Sequence, residues 1–248
     1  MFIKVLGFIL IMSETRFSTF GFNKSISYND GLRNYMLGVY NYMTIALGIS
    51  GVVAYFTAIS GLAYFIFSTP LGMIIAFSPL IMSFYLAFKF QRMNFESVRN
   101  FLIIYSILMG LSLSSVFLVY SMTSIARAFF VTAGMFGFMS IYGYSTRKDL
   151  TSMGSFMIMG AFGIMIAMLI NIFMHSEGLS LLISILSVVI FTGLTAYDTQ
   201  KIKNMYYALG NETDLSRKIA VFGAFQLYMD FIAIFIHMLR LLEFVRRD

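Results

Sequence analysis

Seven apolar runs, each close to the length of about 20 residues that a helix needs to cross the hydrocarbon core of a bilayer, leave this chain little choice of architecture. They lie near residues 35–58, 71–88, 101–120, 128–144, 155–174, 179–197 and 219–239. Backbone amides and carbonyls find no water in lipid, so only helices or a closed barrel can span it. The runs are continuously apolar and do not alternate residue by residue, which selects helices. The expected fold is an all-α integral membrane protein with seven transmembrane helices. Composition agrees, with 59% apolar and 11% charged residues. Mean hydropathy is +0.85, whereas soluble domains carry about 25% charged residues. A membrane domain over 35–242 is expected, after an N-terminal cytoplasmic or interfacial segment, 1–34, and before a short polar tail, 243–248.

The same counts exclude several functions. Cysteine is absent, which removes disulfides, thiolate nucleophiles and thiolate metal sites. Lys and Arg outnumber Asp and Glu by 17 to 11, yet the basic residues fall between apolar runs. They mark topology, and the lipid bilayer rather than nucleic acid is the expected partner. No P-loop, dinucleotide fingerprint, internal repeat or His-rich metal spacing is present, so neither cofactor nor bound metal is expected. The start, Met1 to Met12, reads as a peripheral segment or an over-extended start with Met12 as initiator. Ser13-Glu-Thr-Arg16 is a poor signal-peptidase site. Asn211-Glu-Thr213 matches a glycosylation acceptor but falls in a loop expected in the cytoplasm.

Orientation follows from the basic loops. Lys89, Arg92 and Arg99 follow the second run, Arg147 and Lys148 the fourth, and Lys201, Lys203, Arg217 and Lys218 the sixth. The other loops carry almost none, so the even loops and the N-terminus are expected on the cytoplasmic side. Seven crossings then put the C-terminus outside, although Arg240, Arg246 and Arg247 argue against it. Pro79, inside the second run, is a candidate kink.

Two acids break the pattern. Asp198 and Asp230 lie in the sixth and seventh runs, where an ionised carboxylate costs several kcal/mol unless protonated, paired or wetted. Helical spacing puts Ser184, Ser187, Thr195 and Asp198 on one stripe, and Gly223, Gln226, Asp230 and His237 on another. Such stripes should face the bundle interior, and the seventh suits a central helix. The midpoint of 198 and 230 falls in the polar linker Gly210–Asp214, so an antiparallel hairpin brings both acids to a similar depth. Two carboxylates in contact cannot both ionise cheaply and should share a proton, which makes the pair a pH sensor. The bland reading is that the acids cap neighbouring helices and the hydroxyls bond their own backbone. His237 extends a proton path or simply sits at the interface. Lys89 or Arg92, at the same end of the second run, would pair with an ionised carboxylate.

Three segments carry a family resemblance. They are Asp30-Gly-Leu-Arg-Asn-Tyr-Met-Leu-Gly-Val-Tyr-Asn-Tyr-Met43, Thr192-Gly-Leu-Thr-Ala-Tyr-Asp-Thr-Gln-Lys-Ile202, and Leu227-Tyr-Met-Asp-Phe-Ile232 with Leu239-Arg-Leu-Leu242. Over residues 30–242 the chain resembles the bacterial branch of the Bax inhibitor-1 family. The resemblance implies six helices around a central seventh, and a di-aspartyl pH sensor of a calcium leak, here Asp198 and Asp230. It also implies a basic latch at the end of the second helix, assigned to Arg92 in Phe88-Lys-Phe-Gln-Arg92, and a bacterial inner-membrane location. Bacterial members are associated as well with restraining a membrane-bound protease, which gives the alternative of a non-conducting quality-control or stress-response regulator. Paired aspartates also occur in intramembrane aspartyl proteases. Those enzymes carry Gly-x-Gly-Asp, where this chain has Tyr228-Met229-Asp230, and no Pro-Ala-Leu follows. No enzymatic activity is expected.

Overall fold

A computed structural model describes residues 27–209 and 214–247; the chain start and the Asn211-Glu-Thr213 triplet lie outside the described residues. Among the described residues nine α-helices follow one another: α1 (Ser27–Ile59), α2 (Leu62–Phe67), α3 (Leu71–Lys89), α4 (Phe95–Leu113), α5 (Val116–Val119), α6 (Met122–Ser145), α7 (Thr151–Met174), α8 (Glu177–Leu209) and α9 (Asp214–Arg247). Seven segments of the described residues are long and apolar enough to cross a membrane: α1, α3, α4 with α5, α6, α7, α8 and α9.

Local chemistry sets the breaks. Gly61 takes a left-handed φ of 76°, closing α1 and opening α2. Pro79 does not end α3. Its missing N–H leaves the Ile75 carbonyl without the usual helical partner, and the Ser78 hydroxyl donates to that oxygen at 2.9 Å. Asn94 caps α4 by accepting from the Ser97 amide, and Ser121 caps α6 by accepting from the Ser124 amide. Between α4 and α5 the Ser114 and Ser115 hydroxyls donate back to the Leu111 and Ser112 carbonyls, the competition that interrupts a helix ladder.

Helices outrun the apolar stretches, because Lys, Arg and Glu are good helix formers and charge alone does not stop a helix. Accordingly α1 starts within the segment expected to be interfacial. Beyond Asp198, α8 continues through Lys201 and Lys203, and α9 runs to Arg247 where a polar tail was expected.

The central helix is α9. In its most apolar stretch 72% of residues are buried, against 50% in α8 and 17% to 33% in the other five spans. Four spans, α8, α1, α6 and α4, pack along it, while α3 packs mainly on α4 and α7 on α8. Aromatic contacts climb α9 in order. Phe222 meets Phe90, Phe225 meets Tyr105 edge-on, and Phe231 meets Phe129 and Phe136. Hydroxyls tie the same faces together: Ser50 lies 2.7 Å from the Tyr228 hydroxyl and 2.8 Å from the Ser106 carbonyl.

The seventh segment is one continuous helix, Asp214–Arg247, long and apolar enough to cross. Near its start Lys218 donates to the Gln91 carbonyl, and near its end Arg246 donates to Ser124 on α6 and Arg240 to Ser180 on α8. Arg240 and Arg246 sit in the last turns of α9, where the helix dipole favours cations. That placement accounts for basic residues at the end opposite the basic loops.

Candidate functional site: the buried aspartate seam

Hairpin register sets the relation between the two acids. A Cβ on Gly223 would lie 2.9 Å from Ile202 Cγ1, so these residues face each other across α8 and α9. Four residues back from Ile202 and four on from Gly223, Asp198 comes opposite Leu227. Asp230 lies three residues farther along, about 4.5 Å in depth and less than one turn. Both carboxylates are enclosed, with Asp198 3% and Asp230 0% exposed. Every member of the two stripes is buried: Ser184, Ser187 and Thr195 with Asp198, and Gly223, Gln226 and His237 with Asp230.

Close approaches hold the Asp198 turn in place. A Cβ on Gly143 would sit 2.2 Å from the Ala196 carbonyl oxygen, and one on Gly154 would strike the Tyr197 ring at 2.4 Å. Only glycine lets α6 and α7 come this close to α8. Gln200, itself buried, clamps the connection between them: its side-chain amide donates to the Lys148 carbonyl and accepts from the Leu150 amide. At the rim, the Thr151 hydroxyl and amide both donate to Asp149 and hold its carboxyl below its ordinary value.

Other polar groups converge that sequence reasoning did not single out. The Tyr40 hydroxyl of α1 lies beside the hydroxyls of Ser140 on α6 and Thr199 on α8, without closing a well-formed hydrogen bond to either. By the same register Gln226 comes opposite Thr199. Ser140 carried a faint signal as an isolated hydroxyl in an apolar run. Tyr40 lies in the first segment of the family resemblance, but nothing there pointed it at the aspartates.

Arg92 is not brought to the pair. It is exposed on the 3₁₀ turn Phe90–Arg92, level with the start of α9. Asp230 lies twelve residues beyond Lys218 on α9, about 18 Å deeper, which is farther than an arginine side chain extends. The cation that engages the end of the second span is Lys218, 8% exposed. Its Nζ stands 4.4 Å from the centre of the Phe90 ring, while Arg217 covers Phe95 at 4.2 Å. The Lys218 contact is a buried cation–π contact, whereas Arg217 is exposed and its contact lies at the surface. Lys218 was legible in principle, since it falls on the Gln226 face two turns earlier. His237 sits seven residues past Asp230, about 10 Å away along the axis, and belongs to a different level. Among the described residues no group of three His, Cys, Asp or Glu could hold a metal ion. The seam therefore encloses two carboxylates within one helical turn in depth, with hydroxyl and amide groups nearby.

A seven-helix membrane bundle whose central helix and its hairpin partner each bury an aspartate defines the class. The family model described as "Inhibitor of apoptosis-promoting Bax1" matches residues 32–247. The chain belongs to the Bax inhibitor-1 family. It is 46% identical over 227 residues to the uncharacterized protein RP147 of Rickettsia prowazekii, covering 91% of this chain and 95% of that one. It is 41% identical to the inner membrane protein YbhL of Escherichia coli K12, covering 85% of this chain and 92% of the relative. An uncharacterized protein of Caulobacter vibrioides is 40% identical, with coverage of 85% and 88%.

Proposed function

We propose that this protein is a pH-sensitive, passive calcium leak whose sensor is the Asp198–Asp230 pair. The observation that carries the reading is the burial of both carboxylates, within one helical turn in depth, at the contact between the central helix and α8. A singly protonated pair bonds and holds the two helices together. Ionising both acids sets like charges against each other in a poorly hydrated seam and favours separation. Cations then move down their gradient, with no second substrate or nucleotide needed. By the positive-inside rule the loops with Arg92, Arg147 and Lys201 and the N-terminus lie in the cytoplasm. The E. coli relative carries the name of an inner membrane protein, and we infer the same membrane here.

Calcium flux into proteoliposomes, measured between about pH 5 and 9, tests the reading. Asp198→Asn retains a hydrogen bond to Asp230 but loses the pH response, and Asp230→Ala loses the bridge altogether. Protein that carries no calcium anywhere in that range, yet changes the activity of a membrane-bound protease in vitro, would replace the leak with the non-conducting regulator.

A further inference from the structure

Glycine serves two different ends in this bundle. A Cβ on Gly110 would lie 2.7 Å from the Ser50 carbonyl oxygen, so there the missing side chain lets α4 close on α1. Gly51, the next residue of α1, has nothing within 4 Å of its Cβ and closes nothing. It lines instead a crevice of about 280 Å³ between α1 and α6, two helices that each pack on α9. Leu47 and Tyr55 mark its extent on α1, Met122 and Phe130 its extent on α6. Both stretches come to about 12 Å at the rise of a helix, so the crevice runs along the bundle rather than across it. Phe231 and Phe235 of the central helix form its floor, which begins one residue past Asp230.

The medium at the mouth decides what fills it. Both walls belong to helices long and apolar enough to span a membrane, and Tyr55, Met122 and Phe130 are exposed at the rim. Hydrocarbon rather than water bathes such a rim. Left empty, the crevice would forfeit the dispersion contacts that close packing supplies. The lining calls for no polar ligand. Its one buried polar side chain, Ser50, is already engaged with the Ala46 and Ser106 carbonyls and the Tyr228 hydroxyl. Length agrees as well, since ~12 Å is close to the ~15 Å that one leaflet contributes to a ~30 Å hydrocarbon core. A charge at one end points to a headgroup. Arg127 lies on α6 between Ala126 and Phe130, both of which line the crevice, in the second turn from the end opposite the basic loops. It is exposed and has no hydrogen-bond or ion-pair partner among the described residues. Arginine offers phosphate a planar, two-pronged donor, and its long stem lets the charge reach the headgroup layer.

We propose that the crevice between α1 and α6 is a phospholipid site, with one acyl chain laid along the central helix over Phe235 and Phe231 and the phosphate held by Arg127. The chain fills the space that a side chain at Gly51 would take and braces α1 and α6 against α9. The site is separate from the aspartate seam, which faces α8, and does not depend on whether the protein conducts calcium.

The chain has no tryptophan, so single tryptophans report contact with lipid. Phe235→Trp lies on the floor, where the native ring is 9% exposed, and Phe130→Trp lies at the exposed rim. Phe225→Trp is the control, on the central helix against Tyr105 and away from the crevice. Each variant is reconstituted in dioleoylphosphatidylcholine vesicles and in vesicles of the same lipid brominated on its chains, where bromine quenches on contact. Phe235→Trp is expected to lose as large a fraction of its emission as Phe130→Trp, and Phe225→Trp to lose little. Gly51→Leu extends into open space, and combined with Phe235→Trp it should restore most of the emission. Phe231→Trp reads the same floor if Phe235→Trp fails to fold. For the headgroup, brominated lipid is made a minor component of unbrominated vesicles. Brominated phosphatidylcholine should then quench Phe235→Trp more than brominated diacylglycerol, which has no phosphate, and Arg127→Gln should erase the difference. Floor tryptophans quenched no more than Phe225→Trp, whether the crevice is shut or covered by a second copy of the chain, overturn the proposal. So does a preference for phospholipid that Arg127→Gln leaves unchanged.

Discussion

Helices α7 and α8 have the same hydropathy, 2.3 over their most apolar stretches, yet 17% of that stretch is buried in α7 and 50% in α8. Apolarity does not decide which helix goes inside, because lipid tails solvate leucine as well as a neighbouring helix does. The polar and small residues decide. From Ser184 to Gln200, α8 carries two serines, three threonines, an aspartate and a glutamine, and almost all of them face the bundle. On α7, Gly154 and Gly160 form a narrow strip pressed on Tyr197 and Ile190, and most of the helix is left to lipid. The membrane interior is thus organised around what lipid cannot satisfy.

The sharpest way to break this contrast is at the glycines. Gly143→Ala drives a methyl group into the Ala196 carbonyl, with 2.2 Å where van der Waals contact needs well over 3 Å. A loss of about 3 kcal/mol is expected, at the upper end for overpacking. Gly137→Ala, on the same helix with nothing within 4 Å of its Cβ, should leave the thermal midpoint in detergent unchanged or slightly raised. Equal midpoints for the two variants would mean that α6 and α8 are not in close contact.

Smaller is the hydroxyl link between α1 and the central helix. Tyr228→Phe removes the 2.7 Å contact with Ser50, and about 1 kcal/mol is expected from interhelical bonds measured in membranes. Tyr85→Phe, on a half-exposed position of α3, should cost nothing measurable in the same denaturation assay. A larger loss at Tyr85 than at Tyr228 would invert the account of what holds the bundle.

The smallest effect belongs to the rim. Because its carboxyl is held below the ordinary value of 3.8 by Thr151, Asp149 adds stability above that value. The contribution fades as pH falls through the depressed one. Asp149→Ala should flatten the acid limb of the stability profile slightly and leave neutral behaviour almost unchanged; a profile identical to wild type removes the role.

Much of the molecule was readable from the chain. Continuous apolar runs gave seven spans, and the stripes through Asp198 and Asp230 pointed inward as their spacing implied. Helix ends were not readable, since Lys201, Lys203 and Glu243 propagate a helix as well as apolar residues do. Rotation of the outer helices was equally obscure. A helix apolar all round carries no period that says which side meets protein, so Ser140 and Thr132 went unnoticed. Arg92 was placed near the pair by its position at a helix end. Depth along α9 separates them by more than three turns, and depth depends on packing that no spacing rule reports.

The central claim is that Asp198 and Asp230 act as one titrating unit, and a double-mutant cycle in calcium flux tests it most directly. Flux is measured across pH for wild type, Asp198→Asn, Asp230→Asn and the double variant. A shared proton predicts that each single variant abolishes most of the pH response and that the double variant loses no more than either. Additive, independent losses, or single variants that keep the wild-type profile, would contradict the account.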